Sequence, residues 1–321
     1  MLAFSAAIII GLIILIWSAD RFVSGAVATA LRLGMTPMMI GLTIVAFGTS
    51  APELIVSATA ALSDASSLAV GNAIGSNIAN IAFVLGATAL VSAIPLKNSI
   101  LKVEFPVLLL ATLIATLLIW DQVIDLMDGI FFLLILMISL ASLTFLQQDD
   151  QPEELDEIAE NKDIPSRKAY TLLFISIALL LGSSKLLVWG ATGIALNLGV
   201  SELVIGLTIV AIGTSLPELA ASIASALKGH HALALGNIIG SNLFNLLAVL
   251  AIPAIINPPE LSNTLISRDY TFMLVLTGGL AIFVYGKVLL KKKNIGKVAG
   301  LLLLASYCAY LATLYQQSVS I

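Results

Sequence analysis

The sequence predicts an all-α polytopic membrane protein: ten transmembrane helices in two inverted five-helix repeats. Three observations carry that fold class. Of 321 residues, 59% are hydrophobic and only 11% charged, where a soluble domain carries about 25% charged residues. The apolar residues gather into long runs, and about 20 such residues in a row cross a bilayer. The chain also matches itself when Gly41 is laid on Gly206, a shift of 165 residues.

The apolar runs of the first half are Ala3–Ala30, Pro37–Leu62, Leu68–Ile94, Phe105–Trp120 and Leu126–Leu146. Those of the second half are Lys168–Leu196, Ser201–Leu227, Ala232–Ile256, Tyr270–Tyr285 and Lys297–Tyr315. The start of the first run lacks a basic flank and a small-residue cleavage site, so it reads as a retained helix rather than a signal peptide. Residues 1–146 form the first repeat, 147–167 an acidic cytoplasmic linker, and 168–321 the second repeat. The linker concentrates Asp149, Asp150, Glu153, Glu154, Asp156, Glu157, Glu160 and Asp163. It lacks the alternating ligands and turn glycine of an EF-hand loop and reads as a solvated connection.

Lys and Arg in short loops stay cytoplasmic. With the N-terminus outside, Arg32, Lys97, Lys102, Lys162, Arg167, Lys168, Lys228, Lys287, Lys291, Lys292, Lys293 and Lys297 all fall on the inner side, and only Arg268 falls outside. Both termini are therefore expected outside the cytoplasm. Asp20, Arg21 and Lys185 lie inside long runs, with Asp20 aligned to Lys185 across the repeat, and read as snorkelling or helix-pairing charges.

The repeat is strongest where apolar bias cannot explain it. GLTIVAFGTSAPEL (Gly41–Leu54) and GLTIVAIGTSLPEL (Gly206–Leu219) share twelve of fourteen residues. GNAIGSNIAN (Gly71–Asn80) and GNIIGSNLFN (Gly236–Asn245) share seven of ten. Five spans per half is an odd number, so the second half enters the membrane from the opposite side. This is the inverted-repeat plan of secondary transporters, with binding near the midplane.

The chemistry of the motifs agrees. Pro52 and Pro217 have no N–H and are expected to free backbone oxygens near Ala46 to Thr49 and near Ala211, and Pro52 to bias Ala51 away from helical geometry. Irregular backbone at membrane depth persists only where protein or a polar cavity surrounds it. Thr49 and Ser50 lie one helical turn before Glu53, and Thr214 and Ser215 one turn before Glu218. Asn72, Ser76 and Asn80 form an i, i+4, i+8 stripe, as do Asn237, Ser241 and Asn245. Together these residues offer two carboxylates, hydroxyls, amide oxygens and carbonyls, with no Cys or His among them.

All-oxygen donors select hard cations, and calcium suits such a set better than magnesium, which keeps its water and a strict octahedron. Each intramembrane carboxylate costs at least ~2.5 kcal/mol unless compensated. One divalent ion, several monovalent ions or protons could compensate the pair, and competition among them for the same oxygens is the physical basis of antiport. Other classes fare worse. A channel would need rings of ligands around a continuous pore, an intramembrane hydrolase a nucleophile–base pair, and a primary pump a phosphate-binding glycine loop; none is present. The small net charge of −4 carries no nucleic-acid face. No cofactor and no obligate protein partner is called for; the expected partners are the lipid bilayer and the transported ions, Ca2+ and Na+.

At the paired GTSxPE and GNxxGSN motifs the chain resembles the calcium:cation antiporter family, over essentially its whole length. The resemblance implies a prokaryotic sodium/calcium exchanger-like protein of the cell (inner) membrane, with proton/calcium exchange as the alternative. It implies that Glu53 and Glu218 are shared calcium and sodium ligands, and that Thr49 and Thr214 add backbone oxygens to the calcium site. Ser50, Ser215, Ser76 and Ser241 would help form sodium sites, Ala46 and Ala211 would supply carbonyls, and Asn80 and Asn245 would face each other. The long first and sixth helices would be the pair that slides. Some members of the family carry Asp at the position of Asn245; two amides here weaken any case for potassium co-transport.

Overall fold

The computed structural model describes residues 1–96, 98–146, 164–199, 209, 211–290 and 294–319. The acidic linker from 147 to 163 and most of the first half of the seventh apolar run lie outside these residues. The helices are α1 Leu2–Leu33, α2 Pro37–Thr49, α3 Ala51–Leu62, α4 Ser66–Val91, α5 Ile100–Leu118 and α6 Leu126–Leu146. After the linker come α7 Ser166–Asn197, the short α8 Ala211–Thr214, α9 Leu216–Leu227, α10 His231–Ile256, α11 Leu265–Val288 and α12 Lys297–Gln316. Among the described residues eight helices are long and apolar enough to cross a membrane, and the pair α2 and α3, bent by 43°, makes a ninth candidate. The sequence has ten apolar runs; the seventh is represented by α8 and α9.

The repeat reappears in the element boundaries. Ala51–Leu62 corresponds to Leu216–Leu227, and Ser66–Ile78 to His231–Leu243, each at the same shift. Even irregularities recur: one π-helical turn covers Ala79–Val84 in α4 and its equivalent Phe244–Val249 in α10. Single π turns inside α-helices tend to sit at functional sites, and Asn80 and Asn245 lie within these two.

Two layers follow from burial. The helices α4 and α10 are the most enclosed, with Ala79, Leu85, Leu243 and Leu250 fully covered, while α6 and α12 turn Leu134, Met137, Leu301 and Leu302 outward. In water such outward side chains would be a liability; in lipid they are the expected solvent-facing surface. α1 and α7, 32 residues each, pack along one another. At about 1.5 Å per residue each is about 48 Å long, more than a bilayer core. Gly25 and Gly190 smooth this seam: a Cβ on Gly25 would stand 2.6 Å from the Leu173 nitrogen, and one on Gly190 would stand 2.8 Å from the Phe4 carbonyl oxygen.

At one face Ile94–Pro95 (β1) pairs antiparallel with Asn294–Ile295 (β2). A second tie joins Val123 and Glu260. At the start of α11, Asp269 accepts from Arg268 Nε at 2.7 Å and from the Tyr310 hydroxyl at 2.9 Å. That pairing satisfies a nearly buried carboxylate and pins α12 to α11.

Candidate cation site

The site forms where the two helix breaks meet the faces of α4 and α10. The first break falls at Ser50 (φ −80, ψ 6) and the second at Ser215 (φ −87, ψ 3). This corrects one expectation. Ala51 is helical, because Pro52 sits in the first turn of α3, where a missing N–H costs nothing and a fixed φ favours helix initiation. Proline here starts a helix after the break instead of distorting the residue before it.

A second expectation is corrected in part. The Ala46 carbonyl is not freed, since it accepts the Ser50 N–H at 2.9 Å and lies 3.4 Å from the Thr49 hydroxyl. In the second copy the Ser215 N–H turns instead to the Ile212 carbonyl at 3.1 Å. The Gly213 carbonyl, next to that break, accepts the Ser184 hydroxyl of α7 at 2.6 Å.

Glu53 and Glu218 are both buried, each 1% exposed. Each lies in the first turn of the helix after its break, so the N-terminal end of that helix dipole faces its charge. The two carboxyls are electrostatic neighbours. Glu218 Oε1 accepts from the Ser50 hydroxyl at 3.3 Å, which ties the carboxylate of one repeat to the break of the other. Ser76 of α4 is an electrostatic neighbour of Glu53. The Thr49 hydroxyl donates to Asn237 Oδ1 at 3.1 Å and stands 3.5 Å from the Ser241 oxygen. Asn80 and Asn245 are buried on the two π turns. Thr214 is half-buried. Of Ala211 only the backbone at the start of α8 is described.

Several of these polar atoms are fully covered and make no hydrogen bond: Glu53 Oε2, Glu218 Oε2, the Ser215 hydroxyl, and both the oxygen and nitrogen of Asn80 and of Asn245. Buried polar groups are ordinarily satisfied. The open oxygens of Glu53, Glu218, Asn80 and Asn245 occupy repeat-equivalent positions, and a cation bound among them would complete them. Among the described residues no group of three His, Cys, Asp or Glu side chains gathers to hold a metal. The donor set is two carboxylates supplemented by neutral oxygens.

The sequence stripe contained Asn72 and Asn237 without giving them a place at the site, and it missed Ser57 and Ser222. Asn72 Nδ2 donates to the Glu53 carbonyl at 3.2 Å and Asn237 Nδ2 to the Glu218 carbonyl at 3.4 Å, so each amide holds the backbone of a carboxylate residue. Asn237 Nδ2 also reaches Ser222 Oγ at 3.0 Å, and Ser57 donates to the Val249 carbonyl at 3.0 Å. Asn77 and Asn242 instead bond their own helices, to the Ala73 and Ile238 carbonyls, and stabilise those helices locally. Spacing sets Asn72 and Asn237 on the stripe and Asn77 and Asn242 off it, but not the partners on other elements that give Asn72 and Asn237 their place.

A prediction follows for Asn237. Asn237→Ala removes the acceptor of Thr49 and the donor to Ser222, leaving buried groups unpaired at about 1–3 kcal/mol each. Groups that orient a metal ligand are worth about 10- to 100-fold in affinity. We expect calcium affinity to fall at least about tenfold, measured by calcium-dependent thermal stabilisation of the purified protein. Asn72→Ala, half-buried with a single such bond, is expected to cost less. Equal losses at the two positions would contradict this ranking.

Known proteins share both the sequence and the fold. The family described as "Sodium/calcium exchanger protein" matches residues 4–145 and 168–316. CaxA of Alkalimonas amylolytica is 46% identical over 97% of this chain and 98% of its own length. The inner membrane protein YrbG of Escherichia coli is 38% identical over 98% of each. Among solved structures, the sodium-calcium exchanger NCX_Mj superposes with a TM-score of 0.82 at 33% identity, covering 97% of this chain and 98% of that one. A two-part family match separated by the acidic linker, together with a shared fold over nearly the full length, shows that this chain belongs to the sodium/calcium exchanger family and is a multi-pass membrane antiporter of calcium and another cation, not an enzyme.

Proposed function

We propose that the counter-ion is sodium, and that the chain exchanges Na+ for Ca2+ by alternating access at a site near the membrane midplane. The observation that carries the reading is the pair of buried carboxylates, each with one oxygen lacking any hydrogen bond, set among open Asn80, Asn245 and Ser215 atoms. Two negative charges suit one Ca2+ or more than one Na+, and oxygen-only donors favour both over transition metals. Glu53 and Glu218 are the shared ligands in this reading. Ser50, Ser215, Ser76, Ser241, Asn80 and Asn245 complete the sites with Thr49 and Thr214 and with the carbonyls of Ala46 and Ala211. The Ala46 carbonyl keeps a lone pair beyond its bond from Ser50.

Two relatives support sodium. The name of NCX_Mj and that of MaX1 of Methanosarcina acetivorans, 27% identical over 96% of this chain, both call those proteins sodium/calcium exchangers. We infer ten spans in two inverted halves, with α8 and α9 completing the seventh. We also infer a prokaryotic cell-membrane location with both termini outside, from the bias of basic residues.

The test is flux into vesicles. Purified protein in sodium-loaded liposomes should take up calcium in proportion to the outward sodium gradient. Uptake indifferent to sodium and driven by a pH gradient would replace sodium with protons. Ion currents without exchange would replace the antiporter with a channel.

A further inference from the structure

The two repeats match element by element, yet they are not in the same state, and the difference locates two charges that the cation site does not use. In one half, α1 packs directly along α9. There Asp20 Oδ1 lies 2.7 Å from Lys228 Nζ, which also donates to the Asp20 carbonyl at 2.7 Å and to Ser24 Oγ at 3.1 Å. The repeat-equivalent surfaces are α7 and α3. Between them opens a cavity of about 400 Å³, walled by Pro52, Ile55 and Val56 on one side and Lys185 and Val188 on the other, with Thr214 of the cation site on its lining.

The charges at the two places have opposite signs, one pair at equivalent positions and the other offset by one residue. Asp20 corresponds to Lys185 at the shift of 165. Lys228 corresponds to Ser63, and the next residue, Asp64, corresponds to Gly229; these two share a left-handed backbone (φ 58 and φ 80). So an acid on α1 faces a base at the turn after α9, while a base on α7 has an acid at the turn after α3. Among the described residues Asp64 accepts from a neutral partner, Asn257 Nδ2 at 3.2 Å.

We propose that Lys185 and Asp64 form an ion pair that closes this cavity, and that it replaces the Asp20–Lys228 pair when the transporter changes sides. An inverted repeat alternates when each half takes the arrangement of the other. That exchange brings α7 onto α3 as α1 now lies on α9, and carries Lys185 to the turn that bears Asp64. One pair forms as the other breaks, so neither end state is held by more ion pairs than the other. A fixed positive charge in a cation pathway then has a structural use: it is neutralised when the path is shut. This rests on the alternating-access reading above, but not on which cation is the counter-ion.

The experiment uses the full chain with Cys308→Ser, since Cys308 is exposed, and Thr192→Cys on the cavity wall as a reporter labelled by an impermeant maleimide. Lys228→Glu repels Asp20 and should slow labelling by about two- to fivefold, the population shift that an exposed ion pair carries. Lys228→Gln should act in the same direction more weakly. Lys185→Glu should slow calcium exchange, and Lys185→Glu combined with Asp64→Lys should restore the rate. Labelling unchanged in both Lys228 variants, or a charge-swapped protein no faster than Lys185→Glu alone, overturns the proposal. A labelling shift that persists in a protein whose calcium flux ignores sodium would sink the sodium reading and leave the ion-pair exchange standing.

Discussion

Glu53→Gln with Glu218→Gln should abolish calcium exchange and leave the fold at least as stable. The expectation has two halves because the carboxylates have two opposite effects. Both are 1% exposed, and each keeps one oxygen without a hydrogen bond. An unneutralised carboxylate at membrane depth costs at least ~2.5 kcal/mol, whereas an amide of the same shape avoids the charge. In ion-free buffer the double variant should therefore unfold at the same temperature as the wild type or higher. Calcium should separate them. At about 100 times its dissociation constant a ligand stabilises the native state by about 2.7 kcal/mol, and that increment should appear in the wild type alone. Flux should fall steeply, since in the proposed reading these are the charges that hold the ion. Exchange within a few-fold of wild type would remove both glutamates from the site. A variant that fails to fold would contradict the claim that the charges are a burden on the empty protein.

The repeat, the helix breaks and the carboxylates were legible in the sequence because each is written in residues that apolar helices otherwise avoid. Gly, Pro and Glu at fixed spacing leave little room for another reading, and the family match over both halves agrees with it. Three features were not legible, for physical reasons. A π turn adds one residue to a helical turn without any compositional mark, so Asn80 and Asn245 could be placed on a stripe but not on a widened turn. The break sits at Ser50, not at Ala51, because proline is equally at home as a helix starter, and local sequence does not tell the two uses apart. The reach of Thr49 to Asn237 spans 188 residues and is set by how α2 lies against α10, which no local pattern encodes. Likewise Asp20 and Lys185 read alike as isolated charges within apolar runs. Only the packing separates an ion pair on α1 from a charge lining a cavity on α7.

That packing of α2 against α10 makes the second large prediction. The two helices touch backbone to backbone, at Gly236 and Gly240. A Cβ on Gly240 would lie 2.5 Å from the Leu42 carbonyl oxygen, 2.7 Å from Ala46 Cβ and 2.8 Å from Leu42 Cα. One on Gly236 would lie 2.5 Å from the Met38 carbonyl oxygen. Flexible side-chain tips can yield; these contacts are mostly main chain, so the helices themselves must part. Overpacking of this kind costs about 1–3 kcal/mol, and rigid backbone on both sides favours the upper end. Function should suffer with stability, because Asn237 and Ser241 each follow one of these glycines and both meet Thr49. Separation lengthens those contacts and draws the break of one repeat away from the carboxylate of the other. Gly240→Ala should thus lower both the melting temperature and calcium affinity. Adding Ala46→Gly removes one clash and leaves the Leu42 carbonyl in place, so rescue should be partial at best. Full recovery in that double variant would show that the helices meet through side chains, and that the glycines are not what brings the two halves of the site together.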